Sequence, residues 1–344
     1  MSTSVHQTPW LFSRLGVTPV FDVYWQFAVK RQDIFFNRLS GNTQPWTDDL
    51  ILQKYKFTNA YRASDRVSQF LIRDIIYNPA YPTAASEVVF RILLFKLFNR
   101  ISTWSLLEEE AGPLYWQNFD FDRYDRTLTK AAASGRRIYS AAYIMPPVSL
   151  TDTRIKHHGH LRLLELIMKG DFVSKILQTS SLQEVFETLK SYPSLGDFLA
   201  FQLAIDLNYS DIIDHNESEF VVAGPGARDG LAKTFTRAGE WEPIDLIKLM
   251  MNQQESEFER LGLSFPSLWG RRLQLVDCQN LFCEISKYAR ISHPEIKGLF
   301  GRTRIKQLFK PQPTVVVPWY PPKWGLNGKI DTFETTGPQG DLFG

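Results

Sequence analysis

Two short runs of this sequence combine residue types that can do chemistry on DNA. In Gly224-Pro225-Gly226, two glycines surround one residue; such a run lets the backbone turn tightly between two helices while its N–H groups hold a phosphate oxygen. Asp277 lies further on, in a segment that has the pattern of a helix. The two runs predict a DNA-binding helix-hairpin-helix with a candidate catalytic aspartate downstream. The residues expected to contact DNA are Gly224, Pro225, Gly226, Arg228, Lys233, Arg271 and Arg272.

A second group of polar residues, nearer the N-terminus, suits a pocket that reads a base. Asn59, Arg62 and Asp65 occur in a polar segment that is flanked by aromatic and aliphatic residues, so a helix there would be partly buried. An enzyme that acts on a base needs aromatic faces and a few convergent polar groups. We therefore expect a substrate pocket of Asn59, Arg62, Asp65 and Trp46. An internal arginine–aspartate network that joins two lobes is the alternative.

Two other runs resemble metal or acid–base sites. Asp48 and Asp49 are adjacent carboxylates, which can hold a metal ion, but Thr47 followed by acidic residues is more typical of a helix start with Thr47 as the N-cap. The histidines of the run 157–160 have no partner cysteine and no Glu-x-x-His spacing, so polar surface residues before a helix are the simpler interpretation. We predict no metal site.

Composition places the chain among weakly basic globular proteins. It has 344 residues, of which 44% are hydrophobic, and a formal net charge of +2, so a nucleic-acid surface must arise from local clusters of charge. The two cysteines, Cys278 and Cys283, match no zinc or iron–sulfur spacing, and they indicate a reducing compartment. No stretch approaches the ~20 apolar residues that span a bilayer, so we expect a soluble cytoplasmic protein.

The elements that must position these residues are helices. Apolar residues recur with helical periodicity in many segments, whereas strand-like alternation is scarce. This pattern predicts a mostly all-α fold of two lobes with few short strands. A small hairpin is possible near Arg137 to Tyr143. We expect residues 1–310 to form one two-lobed domain and residues 311–344 to form an irregular tail packed on it. The predicted helices are Val20–Ser40, Tyr61–Tyr77, Ser86–Asn99, His160–Met168, Leu182–Ser191, Gly196–Leu207 and Leu275–Arg290.

Three stretches, Trp25–Gly41, Pro45–Asp49 and Tyr55–Gln69, carry a resemblance to a known family. They resemble the helical domain of 5-hydroxymethyluracil DNA kinases and the alpha-glutamyl/putrescinyl thymine pyrophosphorylases, and the similarity extends through Asn216–Phe235 and Leu275–Arg290. The resemblance implies a helix-hairpin-helix DNA glycosylase fold. It also implies a protein that handles a modified pyrimidine in DNA, by cutting its glycosidic bond or by exchanging a group on its 5-methylene carbon. Related bacterial proteins look like anti-phage glycosylases.

The first hypothesis from this resemblance is a DNA glycosylase that removes a hydroxymethylated or glucosylated pyrimidine from phage DNA. The base would be flipped into a pocket, and Asp277 would stabilise the oxocarbenium-like state during hydrolysis. Arg228 stands where bifunctional glycosylases place a lysine, and arginine cannot serve as an amine nucleophile, which favours a monofunctional enzyme. An ordinary N-cap role for Asp277, worth ~1 kcal/mol, is the structural alternative.

Two further hypotheses stay open. One is a transferase or pyrophosphorylase that replaces a phosphorylated 5-hydroxymethyl group with an amine or amino acid, and the other is a reader of modified DNA without chemistry. A Walker phosphate-binding loop is not matched, because two residues separate Gly230 from Lys233. We therefore expect a chain without kinase activity of its own. We also expect no cofactor, and a monomer whose partner is double-stranded DNA with modified bases.

Overall fold

A computed structural model describes residues 14–141, 145–148, 155–311 and 316–330 of the chain. These residues form helices that are joined by loops. Within the described ranges, the extended pairings are isolated bridges, such as the one between Val17 and Phe235. The predicted all-α class is confirmed.

The α-helices differ widely in length. Among the described helices, none is both long and apolar enough to cross a membrane. In chain order they are α1 (Val20–Leu39), α2 (Leu50–Lys54), α3 (Arg66–Gln69), α4 (Ala85–Phe98), α5 (Ile101–Ala111), α6 (Phe121–Ala133), α7 (Lys156–Lys169), α8 (Phe172–Ile176), α9 (Leu182–Lys190), α10 (Asp197–Asn208), α11 (Pro225–Thr234), α12 (Pro243–Arg260), α13 (Leu275–Ser292) and α14 (Asn327–Ile330). The 3-10 turns are Arg62–Ser64, Ala238–Glu240 and Pro322–Trp324, and a π-helical segment, Phe70–Ile76, continues α3.

The chain divides into two compact units. The first unit consists of Met1–Asp65, Val221–Pro318 and Leu326–Gly344, and the second consists of Arg66–Phe220 and Trp319–Gly325. Every residue predicted from the sequence for the pocket, the catalytic position or the DNA contacts belongs to the first unit. The candidate site can therefore be described within one unit.

Aromatic side chains hold α1 and α13 together in the first unit. Tyr24 of α1 packs against Phe282 of α13 with ring centroids 4.7 Å apart, and its hydroxyl donates to the carbonyl of Cys278 at 3.3 Å. Trp25 is fully buried and lies with its ring edge-on to Phe258 of α12 at 5.1 Å. Burial of each such side chain contributes roughly 1.5–3 kcal/mol, so α13 has a fixed place in this unit.

Two glycines allow α11 to cross α13 at close range. Gly226 and Gly230 are four residues apart and share one face of α11. A Cβ atom at Gly230 would lie 2.1 Å from the carbonyl oxygen of Phe282, and one at Gly226 would lie 3.0 Å from the Sγ atom of Cys283. The backbones of the two helices are thus in direct contact, which places Lys233 of α11 beside α13.

The core of the second unit is built on α4 and α10, whose sequences are almost continuously apolar. The helix α4 ends because Asn99 adopts a left-handed backbone conformation, with φ at 48°, and its N–H donates to the carbonyl of Phe95 at 2.7 Å. Lys96 and Asp206 are both buried and pair at 3.1 Å. This pairing satisfies the requirement that a buried charge has a partner.

Most predicted helices occur within a few residues of their expected bounds, but the predicted helix Tyr61–Tyr77 is wrong as a single element. It is interrupted at Asp65, whose backbone is extended, with φ at −70° and ψ at 143°. A 3-10 turn precedes this residue, and α3 with its π-helical continuation follows it. The interruption keeps the Asp65 carboxylate close to the N–H of Asn59.

Two predictions concern parts that the structure covers only partly. Residues 137–141 form no strand, and residues 142–144 of the expected hairpin lie outside the described residues. The predicted boundary near residue 310 stays a prediction. Of the expected tail, residues 311 and 316–330 are described, and they include a fully buried Tyr320 and the short helix α14.

Candidate functional site

The segment from Asn59 to Asp65 is attached to the start of α13. The hydroxyl of Tyr61 donates to the carbonyl of Arg271 at 2.5 Å and accepts the N–H of Leu268 at 3.2 Å. The backbone N–H of Arg62 donates to Oδ1 of Asp277 at 2.8 Å, and the Arg62 side chain is buried. The structure thus brings Arg62, Asp65 and Asn59 together with Asp277, although the sequence separates them by more than 200 residues.

Asp277 lies in the first turn of α13, with both carboxylate oxygens engaged. Oδ2 accepts the N–H of Gln274 at 3.0 Å, and Gln274 is the N-cap residue, so the pair forms a capping box. Oδ1 accepts the N–H of Arg62. The ordinary N-cap interpretation is therefore wrong in its position, since Asp277 is the third residue of the helix. The carboxylate joins the start of α13 to the Asn59–Asp65 segment.

A buried arginine orients the other end of this segment. Arg31 of α1 donates from Nε to the carbonyl of Thr58 at 2.8 Å and from Nη2 to Oδ1 of Asn59 at 3.1 Å. The side-chain amide of Asn59 donates to the carbonyl of Ser64 at 2.7 Å, and its backbone N–H donates to Oδ1 of Asp65 at 2.8 Å. These bonds join Arg31, Asn59 and Asp65, and the charge of Arg62 lies close to Asp65, so these four residues are called the polar cluster.

Burial sets the charge balance of this polar cluster. It raises the pKa of Asp65 to about 7; the Asn59 N–H opposes this shift, and the negative charge of Glu284 adds to it. Burial also lowers the pKa of Arg31 to about 10. The Asp65 carboxyl therefore exchanges its proton near neutral pH, as a group that accepts a proton during catalysis should.

We expect Asp65→Asn to change how stability depends on pH. The folded-state pKa of Asp65 is raised to about 7, so the folded protein holds this proton in a range where the unfolded chain has lost it. The Asp65 contribution to the free energy of unfolding is therefore fully present below about pH 4 and is lost as the pH rises through about 7. Denaturant unfolding of both proteins from pH 4 to pH 8 should show wild type losing stability relative to Asp65→Asn.

The exposed Asp48 provides the control for this measurement. Asp48→Asn also removes one carboxylate from the first unit, so it shows how the loss of a charge alone affects the pH profile. A level difference in unfolding free energy between wild type and Asp65→Asn would contradict the raised pKa of Asp65.

Trp46 and the acidic pair belong to a separate group of contacts. The indole of Trp46 donates to the carbonyl of Asn42 at 2.6 Å, and the guanidinium of Arg38 lies 5.0 Å from the ring centroid. Asp49, and not Thr47, is the N-cap of α2, and it also accepts bonds from Lys30 at 2.9 Å and Tyr288 at 2.6 Å. These contacts give the acidic run a structural role and leave Trp46 outside the polar cluster.

The expected helix-hairpin-helix turn is not formed at Gly224, Pro225 and Gly226. The preceding helix, α10, ends at Asn208, and the chain between it and α11 is irregular. Gly224 is the N-cap of α11 and Pro225 is its first residue, where a missing N–H costs nothing. Gly226 faces Cys283, so its lack of a side chain serves helix packing. The sequence pattern was right about a helix start and wrong about the turn.

The other predicted DNA contacts differ in their surroundings. Arg228 is exposed and donates to the carbonyl of Ala223 at 3.1 Å. Arg272 is also exposed and pairs with Glu255 at 2.9 Å, whereas Arg271 contributes its carbonyl to Tyr61. Lys233 is buried, and its Nζ donates to the carbonyl of Ser286 at 2.8 Å. Its side chain therefore does not lie on the solvated face of α11.

The histidine run lies in the first turns of α7 in the second unit, so it does not precede the helix as the sequence suggested. His160 is buried between the hydroxyl of Tyr139, at 2.6 Å, and the carbonyl of Pro146, at 2.8 Å. Burial lowers the pKa of His160 to about 4, which keeps this ring neutral. No group of metal-binding side chains is assembled in the part of the chain that the structure describes.

Sequence reasoning missed Arg31 and Glu284 as members of this site. Glu284 of α13 is buried, accepts the N–H of Thr58 at 3.2 Å and pairs with Lys287 at 2.6 Å. Arg31 follows Phe27 by four residues on the buried face of α1. The sequence did contain one indication of Arg31, because a charged residue on an otherwise apolar helix face indicates a buried polar contact.

One protein family, described as "5-hmdU DNA kinase, helical domain", has a sequence pattern that matches residues 18–298. The chain belongs to this family. The chain is similar to a "5-hmdU DNA kinase" from Bacillus phage SP10, with 26% identity over 290 residues, which cover 78% of this chain and 45% of the relative. The chain thus spans about half the length of the curated relative it matches. No solved structure matches it significantly.

The predicted reaction class is wrong. The family and the phage relative are named for phosphorylation, so the hydrolytic glycosylase and the transferase that installs an amine are both overturned. The inference that was drawn from Arg228, a monofunctional hydrolase, is therefore also wrong. The expectation of no kinase activity rested on one type of nucleotide loop, whereas the family name associates this domain with kinases. The geometry of Asp277 also argues against the predicted glycosylase, because backbone N–H groups already engage both oxygens of the expected catalytic carboxylate.

Proposed function

We propose that this chain acts in the phosphorylation of 5-hydroxymethyluracil in DNA and that its first unit binds the modified DNA. The observation that carries the proposal is the family match over residues 18–298. The acceptor in such a reaction is the hydroxymethyl oxygen on C5 of the base, which lies on the major-groove edge of a duplex. The chain must therefore hold DNA and orient a hydroxyl group.

Phosphorylation of this hydroxyl forms a bond between its oxygen and the transferred phosphorus. The bond from that phosphorus to the bridging oxygen of the nucleoside diphosphate breaks, and the hydroxyl proton leaves. The proton needs an acceptor with a pKa near the working pH. Asp65, with a pKa of about 7 and partial exposure, is the residue of the polar cluster that suits this role. Arg62 lies near it and contributes positive charge to the same cluster.

Asn59, Arg62 and Asp65 keep their proposed place as the substrate pocket, but for a different reaction. The hydrogen bonds of Arg31 and Asp277 hold this segment in one conformation. A segment that is preorganised in this way can orient a substrate group without a further loss of conformational entropy. Asp277 then serves as a positioning residue of the pocket.

Two assays with matched duplexes test this proposal. The duplexes carry thymine, 5-hydroxymethyluracil or 5-hydroxymethylcytosine at one position. We expect the 5-hydroxymethyluracil duplex to bind about 5-fold to 10-fold more tightly than the thymine duplex, as one added hydrogen bond of about 1–1.5 kcal/mol allows. With ATP labelled on its γ-phosphate and Mg²⁺, the label should enter only the 5-hydroxymethyluracil duplex.

The outcomes of the two assays separate the parts of the proposal. Preferential binding without transfer would limit the chain's role to holding the acceptor DNA. Equal binding of the thymine and 5-hydroxymethyluracil duplexes, with no label in either, would refute the proposal.

A further inference from the structure

A basic pocket in the first unit lies apart from the polar cluster. Its volume is about 130 Å³, and four cationic side chains line it: Lys233 of α11, Arg290 of α13, and Lys297 and Arg302 of the following loop. None of the described residues that line it is acidic. The pocket is several times larger than a water molecule, which takes up about 30 Å³ in the liquid. It therefore has room for an anion the size of a phosphate group.

Two of the four cations are fixed in place. Lys233 is only 3% exposed, and its Nζ donates to the carbonyl of Ser286 at 2.8 Å. Arg290 donates from Nη1 to the carbonyl of Arg304 at 3.0 Å. Within the described chain, the Nε of Arg290 is buried and has no hydrogen-bond partner. A buried donor of this kind costs free energy until an acceptor reaches it.

Burial also makes these charges costly. It lowers the pKa of Lys233 and that of Arg290, because desolvation disfavours a cation. The Asp229 carboxylate opposes both shifts, whereas the positive charge of Arg302 lowers the pKa of Arg290 further. A bound anion would offset both effects.

The nearby carboxylate of Asp229 fixes the loop. It lies 3.8 Å from Nζ of Lys233, but its oxygens accept the hydroxyl of Ser286 and, at 3.2 Å, the N–H of Phe300. The backbone of Gly298 is pressed so close that a Cβ atom there would lie 2.3 Å from Oδ1 of Asp229. Asp229 therefore holds the chain at residues 298–300 over the pocket, where Lys297 and Arg302 flank it.

The tip of this loop is apolar and exposed. Leu299 is 61% exposed and Phe300 is 49% exposed, and the guanidinium of Arg302 lies 5.5 Å from the ring centroid of Phe300. Arg304 and Lys306 are exposed just beyond it. Apolar side chains set among cations are the means by which many proteins contact DNA bases while they hold its backbone. A free nucleotide in the pocket would not reach the additional cations Arg304 and Lys306, whereas the backbone of a DNA duplex extends past them.

We propose that the pocket of Lys233, Arg290, Lys297 and Arg302 seats a backbone phosphate of DNA and that Leu299 and Phe300 contact the bases beside it. The ligand chemistry is a phosphate oxyanion, and DNA is its source. The inference rests on the proposed function only in taking DNA as the partner, and it needs neither a modified base nor phosphoryl transfer. Of the predicted DNA contacts, it retains Lys233 and adds three basic residues, Arg290, Lys297 and Arg302, that were not among those contacts.

The first test measures how DNA affinity depends on salt. The variant Lys297→Gln with Arg302→Gln changes two exposed side chains and leaves the fixed cations in place. The control, Arg126→Gln with Lys130→Gln, removes the same charge from exposed positions on α6. We expect the first variant to lose affinity about 5-fold to 10-fold at 0.1 M salt and to lower the slope of log K against log salt by about 1. The control should match wild type.

The same variants distinguish the source of the phosphate. A backbone contact reads no base, so the loss should be equal on thymine and 5-hydroxymethyluracil duplexes. A failed preference for the modified base would thus count against the proposed function and leave this inference standing. Unchanged DNA affinity and slope would overturn the inference. Loss of ATP or inorganic phosphate binding with intact DNA binding would also overturn it, because the pocket would then serve a small anion.

The second test addresses the apolar tip. Leu299→Ala with Phe300→Ala should weaken duplex binding about 10-fold and leave the salt slope unchanged, because apolar contacts release no counterions. A 2-aminopurine base in the duplex should brighten on binding wild type and much less on binding this variant. Leu166→Ala with Leu177→Ala, which truncates two exposed leucines elsewhere, is the control. Wild-type affinity and wild-type brightening in the tip variant would refute the base contact.

Discussion

Gly230→Ala should destabilise the first unit by roughly 3 kcal/mol, the upper part of the range for overpacked cores. The added Cβ would lie 2.1 Å from the carbonyl oxygen of Phe282 and 2.8 Å from its carbonyl carbon. These are backbone atoms inside α13, so no side-chain rotation can relieve the contact. The two helices must move apart, and the aromatic packing around Phe282 must loosen with them.

Two other glycines provide controls for this prediction, which equilibrium denaturation would measure. Gly226→Ala meets a side-chain sulfur at 3.0 Å and should cost less, and Gly239→Ala meets no atom within 4 Å. The expected order of destabilisation is Gly230→Ala, then Gly226→Ala, then Gly239→Ala. If Gly230→Ala proved as stable as Gly239→Ala, the close crossing of α11 and α13 would be wrong.

The crossing also carries a functional consequence. Lys233 follows Gly230 by three residues on α11, and its contact with the carbonyl of Ser286 on α13 depends on the same close approach. Separating the helices would withdraw Lys233 from the basic pocket. Gly230→Ala should therefore weaken DNA binding even in the fraction of molecules that remains folded.

Local sequence patterns predicted much of the first unit correctly. Helical periodicity placed α1 and α13, because an apolar stripe repeats along each of them. The glycines and proline at residues 224–226 marked the start of α11. These features depend on residues within a few positions of one another, which is the range over which local patterns are informative.

Features that depend on distant residues could not be predicted in this way. The bond between Arg62 and Asp277 joins positions 215 residues apart, and the bond between Thr58 and Glu284 joins positions 226 apart. The glycine pair looked like a phosphate-binding turn because its packing partner, Cys283, lies in another helix. The basic pocket likewise combines Lys233 with a loop more than 60 residues later.

Asp277→Asn should lower the free energy of unfolding by about 2–4 kcal/mol, because two hydrogen bonds to a buried charged group are disturbed. The carboxylate accepts the N–H of Arg62 with one oxygen and the N–H of Gln274 with the other. An amide has only one oxygen, so its NH₂ group would face one of these N–H donors. Asp120→Asn is the control, since Asp120 is an exposed N-cap of α6 and asparagine caps a helix as well as aspartate does.

The activity of Asp277→Asn separates a positioning role from a catalytic one. If the carboxylate only holds the Asn59–Asp65 segment, DNA binding and phosphate incorporation should fall with the folded fraction and recover at temperatures where the variant is fully folded. If the carboxylate contacts the substrate, the loss should persist in the folded variant. We expect recovery, because both oxygens already accept backbone N–H groups. If phosphate incorporation by the folded variant stayed 100-fold or more below that of wild type, about 2.7 kcal/mol in the activation free energy, Asp277 would instead take part in the reaction itself.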